Sequence, residues 1–108
     1  MTDNTKSILV LSAFPDPASA KSIAERLVNE KLAACVNVIP GVQSIFRWQG
    51  KLDNANENIL VIKTKDNLYN ELEERIKELH PYELPEIISV SIDKGLPKYL
   101  DWISESTK

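Results

Sequence analysis

The stretch from Ala34 to Thr64 constrains the fold most, because it holds two long β-rich runs back to back. Cys35-Val36-Asn37-Val38-Ile39 is followed by Pro40-Gly41 and then by Val42-Gln43-Ser44-Ile45-Phe46-Arg47-Trp48. Pro40-Gly41 allows two readings, a turn that ends the strand or a bend inside a longer one, since both residue types occur at bulges. The immediate return of the β pattern at Ser44–Trp48 favours the bend. Read as one strand, the 14 residues Ala34 to Arg47 span roughly 46 Å at ~3.3 Å per residue. A domain of 108 residues has a radius of gyration near ~13 Å and a diameter of about 35 Å. The outer part of the strand must therefore overhang, carrying Ile45, Phe46 and Trp48 into solvent as an open pairing template. A neighbouring subunit is the economical cover. Gly50 and Asp53-Asn54-Ala55-Asn56 are the turn signals, and Glu57 to Thr64 forms the returning strand.

The flanking segments supply the rest of one domain over residues 1–108. Ser7 to Phe14 is a short apolar run of strand length. Asp16 suits an N-cap and Pro17 the first helical position. Ala20, Ile23, Ala24, Leu27 and Val28 then recur at the spacing of one helical face, with Leu32 extending the stripe to the helix end. Asp66 is placed to cap a second helix, whose stripe is Leu68, Leu72, Ile76 and Leu79 and which Pro81 ends. Glu86 to Ile92 reads as a last strand and Pro97 opens a short C-terminal helix. The order β-α-β-β-α-β plus that helix is an α+β chain of the ferredoxin-like, split βαβ type with a long central hairpin.

Composition excludes several roles. A net charge of −3 gives no basic face for nucleic acid and no attraction to an anionic membrane. The apolar runs are too short to span a bilayer, and the polar start Met1-Thr2-Asp3-Asn4-Thr5-Lys6 has no signal-like apolar stretch. One cysteine, Cys35, precludes an intrachain disulfide and fits a reducing cytoplasm.

Several segments in register resemble one family. They are Lys31-Leu32-Ala33-Ala34-Cys35-Val36-Asn37 leading to Pro40-Gly41, Ser44-Ile45-Phe46-Arg47-Trp48-Gln49-Gly50-Lys51, Glu57 with Lys63-Thr64, His80-Pro81-Tyr82-Glu83-Leu84-Pro85-Glu86-Ile87, and Gly95-Leu96-Pro97-Lys98-Tyr99-Leu100-Asp101-Trp102. Over nearly the whole chain the sequence resembles the CutA family of divalent-ion tolerance proteins. The resemblance implies a ferredoxin-like fold, a tight homotrimer in the cytoplasm, a link to copper and other divalent metals, and no catalytic reaction. It also implies likeness in fold to the trimeric nitrogen-regulatory signal proteins, so a sensor or adaptor trimer is the alternative reading. Members implicated in copper binding carry a first-strand cysteine and two adjacent histidines; here those positions hold Ser12 and Leu79, leaving His80. Serine is a poor copper ligand and leucine none.

His80, the only histidine, is the candidate metal ligand, with Glu83 and Glu86 as helpers. A firm transition-metal site takes about three protein ligands, so Cu(II) or another divalent ion is expected to bind weakly and no cofactor is required. The competing reading is a helix-terminal histidine favoured by the macrodipole. Arg47, Trp48, Glu57, Lys63, Tyr82 and Glu83 are the candidates for an inter-subunit pocket or interface. Cys35 is expected as a buried small hydrophobe. A Cys35–His80–carboxylate enzyme lacks any supporting motif.

Overall fold

The protein is described by a computed structural model over residues 6–108; the reading of the polar start as lacking a signal-like stretch falls on residues 1–5, outside the described residues. Strand β1 (Ser7–Phe14) alternates as far as Ser12, with Ile8, Val10 and Ser12 buried, and both Ala13 and Phe14 are buried at its end. Helix α1 (Pro17–Asn29) starts as expected: Asp16 Oδ1 accepts from the Ser19 amide at 2.8 Å, with Pro17 at the first helical position. It ends earlier than its apolar stripe. Lys31 adopts φ 61°, and the Leu32 and Ala33 amides fold back onto the Leu27 carbonyl. A left-handed residue after the last turn is a common helix stop, so Leu32 joins the core from the loop instead of from the helix.

Strand β2 (Cys35–Trp48) and strand β3 (Lys51–Lys65) form the long hairpin. They pair from Cys35↔Lys63 to Trp48↔Lys51, with a register shift between Ile39 and Val42. Pro40-Gly41 is thus a bulge inside one strand, and Gly41 supplies the required positive φ of 68°. The returning strand starts earlier than expected. Gln49 (φ 49°) and Gly50 (φ 78°) make a two-residue turn, the mirror-image type whose twist matches the flanking strands. Asp53 to Asn56 are strand residues, not a turn, because Phe46↔Asp53 and its neighbours give them ladder partners. Pairing overrides their turn propensity.

Asp66 does not cap the second helix. Asp66–Leu68 form a 3-10 turn, and helix α2 (Tyr69–Leu79) follows without a side-chain cap. His80 leaves the helix in extended conformation just before Pro81, as the proline demands. Strand β4 is shorter than expected, Ile88–Ser91, and helix α3 spans Pro97–Glu105.

The sheet order is β2-β3-β1-β4 with every neighbour antiparallel. Ile8, Val10, Leu60 and Ile62 on one face pack with Ile23 and Leu27 of α1 and Leu72 and Ile76 of α2. Each such side chain, fully buried, contributes ~1.5–3 kcal/mol. Arg75 Nε and Nη2 donate to both oxygens of Glu30 at 2.8 and 2.7 Å, tying α2 to the end of α1. The opposite face carries Leu11, Val61, Ile39, Ile88 and Val90 by register. Its Ile39, Ile88 and Val90 are 46–51% exposed. The hairpin projects well past the sheet, giving extents of 52 × 26 × 23 Å.

A Cβ at position 41 would meet nothing within 4 Å, so Gly41→Ala carries only a backbone penalty. It is expected to lower stability by about 1 kcal/mol in urea unfolding, whereas Gly41→Asn, tolerant of the left-handed region, should cost less.

Candidate functional site

The bulge sets which hairpin residues face the domain. β2 spends three steps from Ile39 to Val42 where β3 spends two from Ile59 to Glu57. Beyond it, Ser44, Phe46 and Trp48 of β2 therefore share a face with Asp53, Ala55 and Glu57 of β3. The 80–87 segment closes over this face between α2 and β4. Between them lies a groove of about 790 Å³, lined by these six residues and by Tyr82, Glu83, Leu84 and Glu86 among others.

Its inner end is a hydrogen-bonded chain. Tyr82 Oη donates to Glu57 Oε2 at 2.9 Å. His80 Nε2 lies 2.7 Å from the Ala13 carbonyl, and Nδ1 accepts from the Tyr82 amide at 3.0 Å. A carbonyl only accepts and an amide only donates, so the ring is neutral with its proton on Nε2. The imidazole stacks on Phe14 at 4.3 Å and meets Tyr82 at 4.9 Å. Burial holds the His80 pKa below its ordinary value, against the opposing effects of the Ala13 bond and the Glu57 charge. Burial, the Glu57 bond and the Glu57 charge push the Tyr82 phenol up to about 12.

Arg47, Trp48, Glu57, Tyr82, Glu83 and Glu86 all line the groove. Lys63 does not. It lies six residues along β3 from Glu57, roughly 20 Å away, and donates to Tyr99 Oη of α3 at 3.2 Å. His80 is 8% exposed and a metal at either ring nitrogen would displace one of its two bonds. Among the described residues no three His, Cys, Asp or Glu converge to hold a metal ion. Cys35 is half-buried, not buried, since it sits on an edge strand, beside Lys63, on the face away from α1 and α2. It is far along the sheet from Ala13, where His80 binds, so the two make no nucleophile–base pair. Asp53 and Ala55 lie in a segment of turn propensity, and only its pairing with β2 makes them strand residues that line the groove.

The family described as CutA1 divalent ion tolerance protein matches residues 8–106. The chain belongs to this family. The divalent-cation tolerance protein CutA of Thermus thermophilus is 46% identical over 99 residues, covering 92% of the chain and 96% of that protein. The chloroplastic CutA of Arabidopsis thaliana is 41% identical over 102 residues, covering 94% of the chain and 56% of that protein. A solved structure of the periplasmic divalent cation tolerance protein CutA from Archaeoglobus fulgidus superposes with a TM-score of 0.91 at 36% identity, covering 94% of the chain and 99% of that structure. Two of these relatives are named for different compartments, the chloroplast and the periplasm. Among the described residues of this CutA chain, no helix is long and apolar enough to cross a membrane.

As the only histidine, His80 gives an unambiguous imidazole resonance. Its NMR titration midpoint is expected below 6.5; a value at or above 6.5 would contradict the buried, neutral ring. Because the folded pKa is the lower one, the unfolded chain binds more protons in between. The stabilising contribution is full above about 6.5 and is lost as pH falls through the folded value.

Proposed function

We propose that this CutA-family chain acts as a non-enzymatic homotrimer in divalent-cation tolerance, in a reducing cytoplasm. In this reading, metal is held loosely by groove carboxylates and His80 serves as a structural hub. The observation that carries the assembly is the exposed apolar surface: Ile45 and Leu52 on the hairpin are 70% and 79% exposed, and the sheet face away from α1 and α2 is half-open. Surfaces of this kind on a protein of this size mark association. The two outer strands, β2 and β4, also present unpaired edges that a neighbouring copy can take up. The subunit count of three rests on the family resemblance, as does the metal link. The low metal affinity is supported by the lack of a converging three-ligand set among the described residues.

Two measurements test this reading. Ile88→Lys and Val90→Lys together place charges on the half-open sheet face and are expected to dissociate the assembly in sedimentation; an unchanged oligomer would contradict the face's role. Calorimetry with CuCl2 is expected to give affinity weaker than about 1 μM, equivalent to roughly −8 kcal/mol. Glu83→Gln with Glu86→Gln should weaken it further while His80→Ala leaves it unchanged. Copper binding abolished by His80→Ala alone would restore the histidine as a ligand.

A further inference from the structure

The 80–87 segment is a strap fastened at both ends. Its far end hangs on Tyr69 at the start of α2, whose hydroxyl donates to the Ile87 carbonyl at 3.3 Å, just before β4 begins. Burial, with a smaller effect from Glu73, holds the Tyr69 phenol above its ordinary value of 10.0, so this fastening stays uncharged at neutral and mildly acid pH. Its near end hangs on His80, which donates from Nε2 to the Ala13 carbonyl at 2.7 Å and accepts at Nδ1 from the Tyr82 amide at 3.0 Å. Pro81 and Pro85 stiffen the piece between. Tyr82, Glu83, Leu84 and Glu86 of the strap line the groove, so its position decides whether the groove is walled on that side.

We propose that His80 is a proton-operated catch on this strap: the neutral ring holds it closed over the groove, and protonation releases its near end. A charged imidazole carries a proton on each nitrogen. Nδ1 then points a donor at the Tyr82 amide, itself only a donor, and that bond is lost. The bond to the Ala13 carbonyl survives and strengthens, because its donor becomes charged. The ring therefore stays on β1 and the strap moves, pivoting on Ile87. The Tyr82 phenol goes with it and leaves Glu57 Oε2, which opens the inner end of the groove. The groups around the ring set where the catch turns over. Burial opposes the charge most strongly, while the Ala13 carbonyl of β1 and the Glu57 carboxylate of β3 favour it. Asp16, ahead of α1, acts on the Tyr82 phenol, and the two rings against the imidazole, Phe14 and Tyr82, carry no charge in this range. In the released strap His80 regains an ordinary pKa of about 6.5, so the open form takes up the proton more readily than the closed one. Closure is fully favoured above about 6.5 and loses about tenfold for each pH unit below it. The inference rests on the strap's hydrogen bonds and not on the tolerance reading.

The test uses the full chain with EDTA present, so its outcome is separate from that of the metal reading. NMR follows the His80 imidazole, the Tyr82 amide and, as a control for global unfolding, the Leu60 amide of β3, from about pH 8 down to about pH 4. The Tyr82 amide shift is expected to change with the same midpoint as the imidazole. Its protection from exchange, corrected for the intrinsic rate, should fall about tenfold per pH unit below about 6.5 while Leu60 stays protected. His80→Gln can still donate a side-chain N–H to Ala13 but gains no proton in this range, and should abolish the change. Tyr82→Phe keeps the amide and loses only the phenol's bond to Glu57; with closure weakened, the shared midpoint should move up. If His80→Gln does not fold, the wild-type midpoints and the Tyr82→Phe shift decide. An imidazole that titrates while the Tyr82 amide stays unmoved would overturn the catch. So would the same amide change in His80→Gln, or protection lost at Tyr82 and Leu60 together.

Discussion

Between Ile39 and Val42, β2 carries one residue more than the β3 segment it pairs with, and every side chain beyond that point changes face. Without the extra residue, Ile45 and Arg47 would share Glu57's face. With it, Phe46 and Trp48 do. The place of Phe46 and Trp48 on the groove's face and the exposure of Ile45 follow from that shift. Gly41 makes it inexpensive by accepting the left-handed backbone.

The domain end of the groove is fixed by a different device. Pro81 forces His80 out of helical geometry, and the ring then fills the space beside Phe14 and locks both nitrogens to backbone. One of those bonds is the Tyr82 amide, so the histidine holds in place the phenol that reaches Glu57. The three side chains come from the loop after α2 and from β3, and the tie between them runs through β1. Loss of any one should be felt at the others, because residues in a single network do not act additively.

Much of this was legible in the sequence. The Asp16-Pro17 start, the stop at Pro81 and the bulge at Pro40-Gly41 are local chemistry, and each appears where the residues demand it. The family motifs likewise contain Glu57, Tyr82, Trp48 and Arg47, which line the groove. What local chemistry misjudged was decided by partners elsewhere in the chain. Asp53 to Asn56 have turn propensity but gain ladder partners from β2. Leu32 continues an apolar stripe yet follows a left-handed Lys31. Cys35 sits among apolar neighbours in sequence but on the sheet face away from α1 and α2. Lys63 shares a motif with Glu57, yet strand geometry carries it to the far end of β3. The occupation of both His80 nitrogens depends on a contact between residues 67 positions apart, which no spacing rule reveals.

The same hairpin that forms the groove leaves the chain with more apolar surface than it can cover alone. Ile45 and Leu52 at its outer end, and Ile88 and Val90 across the sheet, are exposed on the single chain, and the proposed assembly would place them against other copies. The most direct test of this account is the solution mass by multi-angle light scattering across a dilution series. The account predicts three times the chain mass, maintained on dilution. A monomer at every concentration would contradict it.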